Sequence, residues 1–213
     1  ADMDSTMIEQ ECIDELADAA GAGDKVKAIT ARAMNGELDF EDALRERVAT
    51  LKDLPSGVIG EVITNRITFM PGGRELIATM RQNNTYCALI SGGFTHFTAY
   101  VGAELGFHEH QANELIIRNN LLTGEVANPI LGRDAKVAAL QRITRNFGFS
   151  LDEAIAVGDG ANDVPMLHTA GMGVALHAKP TVKQQVDIHI DHGDLTALLY
   201  LQGFARDEFA RHH

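Results

Sequence analysis

The sequence predicts an α/β fold in which a doubly wound parallel sheet carries a helical insertion near the N-terminus. From residue 70 to the end, apolar runs of strand length alternate with helical patterns across short connections. This alternation is typical of parallel strands covered by helices on both faces. Residues 7–66 show helical patterns and no strand signal. Polar clusters lie where strands are expected to end, and open α/β sheets carry their binding sites at that edge.

The N-terminal part is expected to form four helices. Their ranges are 7–20, 24–35, 38–52 and a short one after Gly57 that runs to about Arg66. In the third helix, apolar residues recur at helical spacing, and either Asp39 or Asp42 could cap the first turn. Ser5 and Thr6 precede the first helix and are expected to help cap it.

The remaining chain is expected to alternate between strands and helices. Strands are predicted over 86–91, 112–120, 121–129, 153–160, 172–176 and 187–190. Helices are predicted over 74–84, 94–105, 133–148, 162–171, 180–186 and 194–202. Gly124 supports a turn-linked pairing of the second and third of these strands.

Charge and cysteine content narrow the class of protein. The chain of 213 residues has 18 Lys and Arg against 30 Asp and Glu, so its net charge is −12. An acidic surface argues against a nucleic-acid backbone or an anionic membrane as partner. No apolar run is long enough to cross a membrane, and the first residues do not form a signal peptide. Cys12 and Cys87 are expected to be free thiols, which favours a cytoplasmic protein.

Four carboxylates are expected at two turns from strand to helix. Asp2 and Asp4 lie in the segment "DMDST", and Asp159 and Asp163 lie in "GDGANDVPM". If the two segments meet, four like charges converge and require a cation or raised pKa values. Since the set contains no Cys or His, a hard ion such as Mg²⁺ fits better than zinc. The alternative is that each Asp only caps a helix or forms a turn.

Three further residues could hold an anion near these carboxylates. Ser91 and Gly92, in "SGG", are expected at a turn from strand to helix, where backbone N–H groups can bind a phosphate. Lys136 lies in the first turn of a helix, where its charge opposes the helix dipole. An ordinary turn and a solvated lysine are the alternatives.

The ordered set "DMDST", "SGG", a lysine at a helix start and "GDGAND" resembles the haloacid dehalogenase (HAD) superfamily. Within it, the "LRERV" segment and "GDGANDVPML" resemble the phosphoserine phosphatase family. The resemblance implies a Rossmann-like HAD core over residues 1–6 and 70–213 and a helical cap over residues 7–69. It also implies that a central strand precedes Asp2, so we expect that strand upstream of the residues given.

The resemblance also implies roles for individual residues. Asp2 corresponds to the nucleophile that forms an aspartyl phosphate, and Asp4 to the general acid and base. Mg²⁺ would be held by Asp2, by the backbone carbonyl of Asp4 and by Asp159, with Asp163 in support. The residues expected to bind the substrate O-phospho-L-serine are Glu11 (ammonium), Arg47 (carboxylate), and Ser91, Gly92, Lys136 and Asn162 (at or near the phosphoryl group). Arg45 is the rival of Arg47 for the carboxylate.

The implied function is hydrolysis of O-phospho-L-serine in the last step of serine biosynthesis. Three alternatives stay open at this point. The chain could act on another small phosphomonoester, it could pass the phosphoryl group to an alcohol, or it could be a receiver-like signalling domain that is phosphorylated on Asp. The sequence does not decide whether the protein forms a homodimer.

Overall fold

A computed structural model describes residues 1–34 and 37–210. The helices of this part of the chain are α1 (Cys12–Ala19), α2 (Gly23–Met34), α3 (Phe40–Ala49), α4 (Gly57–Arg66), α5 (Gly73–Gln82), α6 (Thr95–Leu105), α7 (Arg133–Phe147), α8 (Val164–Thr169), α9 (Pro180–Lys183) and α10 (Ala197–Leu201). The strands are β1 (Ala88–Phe94), β2 (Glu109–Asn113), β3 (Leu115–Arg118), β4 (Leu121–Val126), β5 (Ile155–Gly158), β6 (Met172–Leu176) and β7 (Ile188–Ile190). None of the described helices is both long and apolar enough to cross a bilayer.

The first two residues join two sets of parallel strands. Strand β1 pairs with β2, and β6 lies between β5 and β7, all in parallel. The N–H of Ile90 donates to the carbonyl of Ala1 at 2.9 Å, and the N–H of Asp2 donates to the carbonyl of Val157 at 3.0 Å. The segment 1–2 therefore lies between β1 and β5, so the strands follow the order β2–β1–(1–2)–β5–β6–β7.

Both faces of this sheet are buried. Neighbouring residues of a strand point to opposite faces. Ala156 belongs to one apolar cluster and Val157 to another, and the same holds for Ala175 and Leu176. Helices pack on each cluster, which confirms the predicted doubly wound α/β class. The two cysteines are buried and free.

The helices α1–α4 leave and rejoin the sheet domain through a pair of antiparallel segments. Ile8 forms an isolated bridge with Phe69, and backbone hydrogen bonds of 2.9 and 3.0 Å join residues 7–10 to residues 68–70. Because of this pairing, α1 begins at Cys12, and the prediction of a helix from residue 7 is wrong at its start. The division into a core (1–6 and 70–213) and a cap (7–69) stays a prediction.

Two capping predictions have different outcomes. Asp39 caps α3, because its Oδ1 accepts the N–H of Asp42 at 2.8 Å. The helix α1 has Glu11 at its N-cap and no side-chain cap, so the capping role predicted for Ser5 and Thr6 is wrong. The last residue of the predicted helix 24–35 lies outside the described residues.

The segment 109–126 holds one strand more than predicted. The predicted strands 112–120 and 121–129 correspond to the antiparallel pair β3 and β4, but β2 is an additional strand that ends at Asn113. The connection between α3 and α4 also pairs with this hairpin, since the N–H of Asp53 donates to the carbonyl of Leu122 at 2.9 Å. The hairpin therefore packs against the helical segment.

Candidate active site

Polar residues from separate parts of the chain meet where the parallel strands end. Asp2 closes the N-terminal segment, Ser91 lies in the last part of β1, and Asp159 directly follows β5. They open onto a cleft of about 1170 Å³. The predicted site residues that line this cleft are Asp2, Asp4, Glu11, Arg47, Ser91, Gly92, Asp159 and Asn162. Lys136 and Asp163 do not line it and are fully buried behind Asp2.

Lys136 forms two short ion pairs at the base of the cleft. Its Nζ lies 2.6 Å from Oδ1 of Asp2 and 2.5 Å from Oδ1 of Asp163, and the side chain is 1% exposed. Burial alone would lower the pKa of Lys136, but the charges of Asp2 and Asp163 outweigh burial and raise it. The ammonium group is therefore charged at neutral pH, and the alternative of a solvated lysine is wrong.

Three carboxylates form a cluster that could hold a metal ion. Asp2, Asp159 and Asp163 each place an oxygen within 4.8 Å of the others. Burial raises the pKa of Asp2 to about 7 against the opposing effect of Lys136, and burial and the charge of Asp163 raise the pKa of Asp159 to about 6. The three carboxyl groups outnumber the one ammonium group of Lys136. This excess of acidic groups and the all-oxygen donor set fit a divalent cation.

Two neighbours orient the carboxylates of this cluster. The hydroxyl of Thr6 donates to Oδ1 of Asp159 at 3.2 Å. The N–H of Gly160 donates to Oδ2 of Asp163 at 3.0 Å. The role of Thr6 was missed because the sequence suggested helix capping, whereas the partner of its hydroxyl is 153 residues away.

The side chain of Asp4 stands apart from this acidic cluster but faces the same cleft. Its Oδ1 is buried and has no hydrogen-bond partner among the described residues. Burial, followed by the charge of Glu11, raises the pKa of Asp4 well above its usual range. A Cβ atom at Gly93 would lie 2.9 Å from Oδ2 of Asp4, so the absence of a side chain there allows this approach. The group can therefore carry a proton near neutral pH.

The "SGG" segment lies within a strand rather than at the start of a helix. Strand β1 continues to Phe94 with an irregular register after Ile90, and α6 begins only at Thr95. The N–H of Gly93 donates to Oγ of Ser91 at 2.8 Å. The expectation of a helix N-terminus at Ser91 and Gly92 is therefore wrong, although both residues line the cleft.

Glu11 and Arg47 come from the segment 7–69 and line the same cleft. Oγ of Ser5 donates to Oε1 of Glu11 at 2.7 Å. Nε of Arg47 donates to the carbonyl of Ala43 at 3.2 Å, and burial lowers the pKa of Arg47 against the charges of Asp14 and Glu11. Both side chains thus face the same space as the carboxylate cluster.

Arg45, the rival of Arg47, is directed elsewhere. Its Nη2 donates to Oδ1 of Asn128 at 2.8 Å, and it does not line the cleft. Phe40, at the start of the same helix, lies against the cleft floor, since a Cβ atom at Gly92 would lie 3.2 Å from its ring. The helix α3 therefore directs Phe40 and Arg47, but not Arg45, towards the cleft.

Asn113, at the end of β2, was missed by sequence reasoning. It is 2% exposed and makes hydrogen bonds to the backbones of Gly92 and Leu131, and so contacts the cleft floor from behind. A polar residue inside a predicted strand was the only available signal, and it does not reveal the partners.

Comparisons with known proteins show the family to which the chain belongs. The profile of the haloacid dehalogenase-like hydrolase family matches residues 1–168. The chain is 45% identical over 200 residues to the phosphoserine phosphatase of Haemophilus influenzae, covering 94% of this chain and 63% of that protein. It is 43% identical over 198 residues to the phosphoserine phosphatase of Lactococcus lactis, covering 93% and 91%.

A solved structure shows the same fold. It is that of a phospho-aspartyl intermediate analogue of phosphoserine phosphatase, with a TM-score of 0.87, 40% identity and coverage of 94% of this chain and 95% of that one. The chain spans less than two thirds of some of its relatives, including that of H. influenzae. It belongs to the haloacid dehalogenase-like hydrolase family and to the branch of that family that holds these phosphoserine phosphatases.

Proposed function

We propose that this chain hydrolyses O-phospho-L-serine to L-serine and phosphate through an aspartyl phosphate on Asp2, the last step of serine biosynthesis. One observation carries the proposal. A single cleft is lined both by the carboxylates Asp2 and Asp4 and by a second charged pair, Glu11 and Arg47. The first pair suits phosphoryl transfer, and the second suits the ammonium and carboxylate groups of an amino acid. The names of the relatives reported above support the same substrate.

In the first step, a carboxylate oxygen of Asp2 attacks the phosphorus atom in line with the serine oxygen. The bond between phosphorus and the serine oxygen breaks, and Asp4 donates its proton to that oxygen. The raised pKa of Asp4 supports this role, because it favours the protonated carboxyl group that the step requires.

In the second step, Asp4 accepts a proton from a water molecule whose oxygen attacks the phosphorus atom. The bond between phosphorus and Asp2 breaks, and phosphate leaves. Asp2 is again a carboxylate and Asp4 is again protonated, so the cycle closes without another reactant.

Lys136, Ser91 and Gly92 are assigned to the transferred phosphoryl group. Lys136 lies behind Asp2 rather than in the cleft, so its charge would act on the phosphoryl group from the side of the nucleophile. Ser91 and Gly92 line the cleft beside Asp4, and Asn162 lines it near Asp159. These assignments place donors on more than one side of the expected phosphorus position.

Mg²⁺ is the metal that we assign to the acidic cluster. Asp2, Asp159 and the backbone carbonyl of Asp4 would hold it, and Asp163 would support it through its position in the cluster. When bound, the ion supplies neutralising charge for the phosphoryl oxygens. The excess of carboxyl groups over the one ammonium group in the cluster supports a divalent ion.

The helical segment, residues 7–69, is assigned as a cap that selects the substrate. Arg47 offers a planar pair of donors to the substrate carboxylate, and Glu11 offers an acceptor to its ammonium group. Phe40 closes this end of the cleft over Gly92. A cap that closes over the substrate would also exclude bulk water from the aspartyl phosphate.

The test is phosphate release from O-phospho-L-serine with Mg²⁺ and with EDTA, beside phosphothreonine and p-nitrophenyl phosphate. We expect Mg²⁺-dependent release that is fastest with phosphoserine, and no turnover by Asp2→Asn. Release from the aryl ester alone would reject the substrate but keep the chemistry. A long-lived phosphorylated protein without turnover would favour a receiver-like domain. Transfer to an added alcohol in preference to water would favour a phosphotransferase.

A further inference from the structure

Asn113 uses its side-chain amide to join two segments of the chain at the floor of the cleft. Its Nδ2 donates to the carbonyl of Gly92 at 2.8 Å and to the carbonyl of Leu131 at 3.2 Å. Its Oδ1 accepts the N–H of Leu131 at 2.7 Å. Both amide hydrogens are used, so the side chain is satisfied although it is 2% exposed.

Both joined segments bear on the proposed phosphoryl site. The first is the part of β1 that contains Ser91 and Gly92, and the second leads through Gly132 into α7, which carries Lys136. Phe40 contacts both segments, since Cβ atoms at Gly92 and at Gly132 would each lie 3.2 Å from its ring. Asn113 therefore links the backbone that faces the phosphoryl group to the start of the helix that supplies the buried cation.

The chemistry of this link requires an amide. An apolar side chain of similar size would leave the carbonyls of Gly92 and Leu131 and the N–H of Leu131 without their present partners. Buried backbone groups without partners reorganise, because their desolvation is not compensated. Between Ile90 and Phe94 the pairing of β1 with β2 is irregular, so regular sheet hydrogen bonds do not hold Gly92. The hydrogen bond from Asn113 to the carbonyl of Gly92 is therefore a main restraint on the Gly92 backbone.

We propose that Asn113 is a positioning residue, which holds the Gly92 backbone where it can bind the transferred phosphoryl group. It does not line the cleft and is not assigned a contact with the substrate. This inference rests on the proposed function, because it gives Asn113 a task in that reaction.

The test compares Asn113→Leu with Thr79→Val. Thr79 is also fully buried, and its hydroxyl accepts a backbone N–H, that of Ala210, at 2.8 Å, but it lies outside the cleft. For each variant, kcat and KM for phosphoserine, the inhibition constant of orthovanadate and the affinity for Mg²⁺ are measured. Orthovanadate mimics the transferred group and needs no cleavable ester.

In Asn113→Leu we expect kcat and orthovanadate affinity to fall together by about 10²-fold, as for a small displacement of catalytic groups. KM and Mg²⁺ affinity are expected to stay near wild type, and Thr79→Val is expected to change none of the four. Wild-type kcat and orthovanadate affinity in a folded Asn113→Leu would overturn the inference. A general loss shared by Thr79→Val would overturn it too, because it would indicate a merely structural role.

If Asn113→Leu does not fold, Asn113→Asp carries the test. The aspartic acid can donate one hydrogen bond only while protonated, so its kcat relative to wild type should fall as pH rises. A pH profile identical to wild type would overturn the inference. If the wild-type protein binds orthovanadate but does not hydrolyse phosphoserine, the proposed function fails, and the orthovanadate comparison still decides the role of Asn113.

Discussion

Replacing Lys136 with methionine tests whether the buried ammonium group stabilises the folded protein by neutralising the acidic cluster. Lys136 is 1% exposed and contacts Asp2 and Asp163 at 2.6 and 2.5 Å. Methionine retains most of the apolar stem but removes the charge. The two carboxylates then lose their common counter-ion in a site where water does not replace it.

The expected cost follows from this burial. Removing one partner of a buried ion pair destabilises a protein by about 3–5 kcal/mol, because the other charge stays buried without compensation. Protonation of one carboxylate relieves part of this cost. The pKa of Asp2 is already raised to about 7 by burial, and loss of Lys136 removes the largest effect that opposes the rise. When the pKa of a carboxyl group is raised in the folded state, the protein loses stability as the pH rises through that pKa.

The assay is urea unfolding in EDTA, so that no metal ion replaces the lost charge. We expect Lys136→Met to be destabilised by about 3–5 kcal/mol at pH 8 and by clearly less at pH 5.5. The control is Lys183→Met, which removes an ion pair of 2.5 Å to Asp191 at the surface. It should have a much smaller effect, because water screens exposed pairs.

Equal destabilisation of the two variants at pH 8 would refute the counter-ion role of Lys136. A destabilisation of Lys136→Met that does not depend on pH would also refute it, since the neighbouring carboxylates are expected to take up protons at low pH.

Three other predictions concern the cleft. Arg47→Ala should lower kcat/KM for phosphoserine by about 10- to 150-fold, the value of a charge-assisted hydrogen bond, whereas Arg45→Ala should change it less than twofold. Equal losses in an initial-rate assay would contradict the assignment of Arg47 to the substrate carboxylate. Gly93→Ala should lower kcat by about 10²-fold, because its Cβ atom would lie 2.9 Å from Oδ2 of Asp4. An unchanged kcat would show that the close approach of Asp4 to residue 93 is not needed for turnover. Mg²⁺ should raise the thermal midpoint of unfolding more at pH 8 than at pH 5.5, because protons compete with the ion at low pH for Asp2 (pKa about 7) and Asp159 (pKa about 6). Equal shifts by differential scanning fluorimetry would contradict this competition.

Much of the fold followed from local patterns in the sequence. The alternation of strands and helices after residue 70 depends on hydrophobic periodicity, which a single chain displays directly. The meeting of "DMDST" with "GDGAND" could also be expected, because parallel strands end at one edge of the sheet. The family resemblance rested on these same segments and is confirmed by the match over residues 1–168.

Local patterns were less informative where pairing between distant segments decides the structure. Residues 7–10 were expected to be helical, but they pair with residues 68–70 and α1 begins later. Strand β2 lacks a strong pattern of its own and exists because it pairs with β1. Periodicity describes how one segment could fold, whereas these cases depend on backbone hydrogen bonds to a second segment that is distant in the chain.

The sequence by itself therefore determined the class of fold, the order of its elements and the acidic residues at the candidate site. The tertiary structure decided the environment of each side chain. It placed Lys136 behind Asp2 as a buried counter-ion, directed Arg47 rather than Arg45 into the cleft, and gave Asn113 its three backbone partners. Charge, pKa and hydrogen bonding depend on burial and on neighbours that are distant in the chain, and these exist only once the chain has folded.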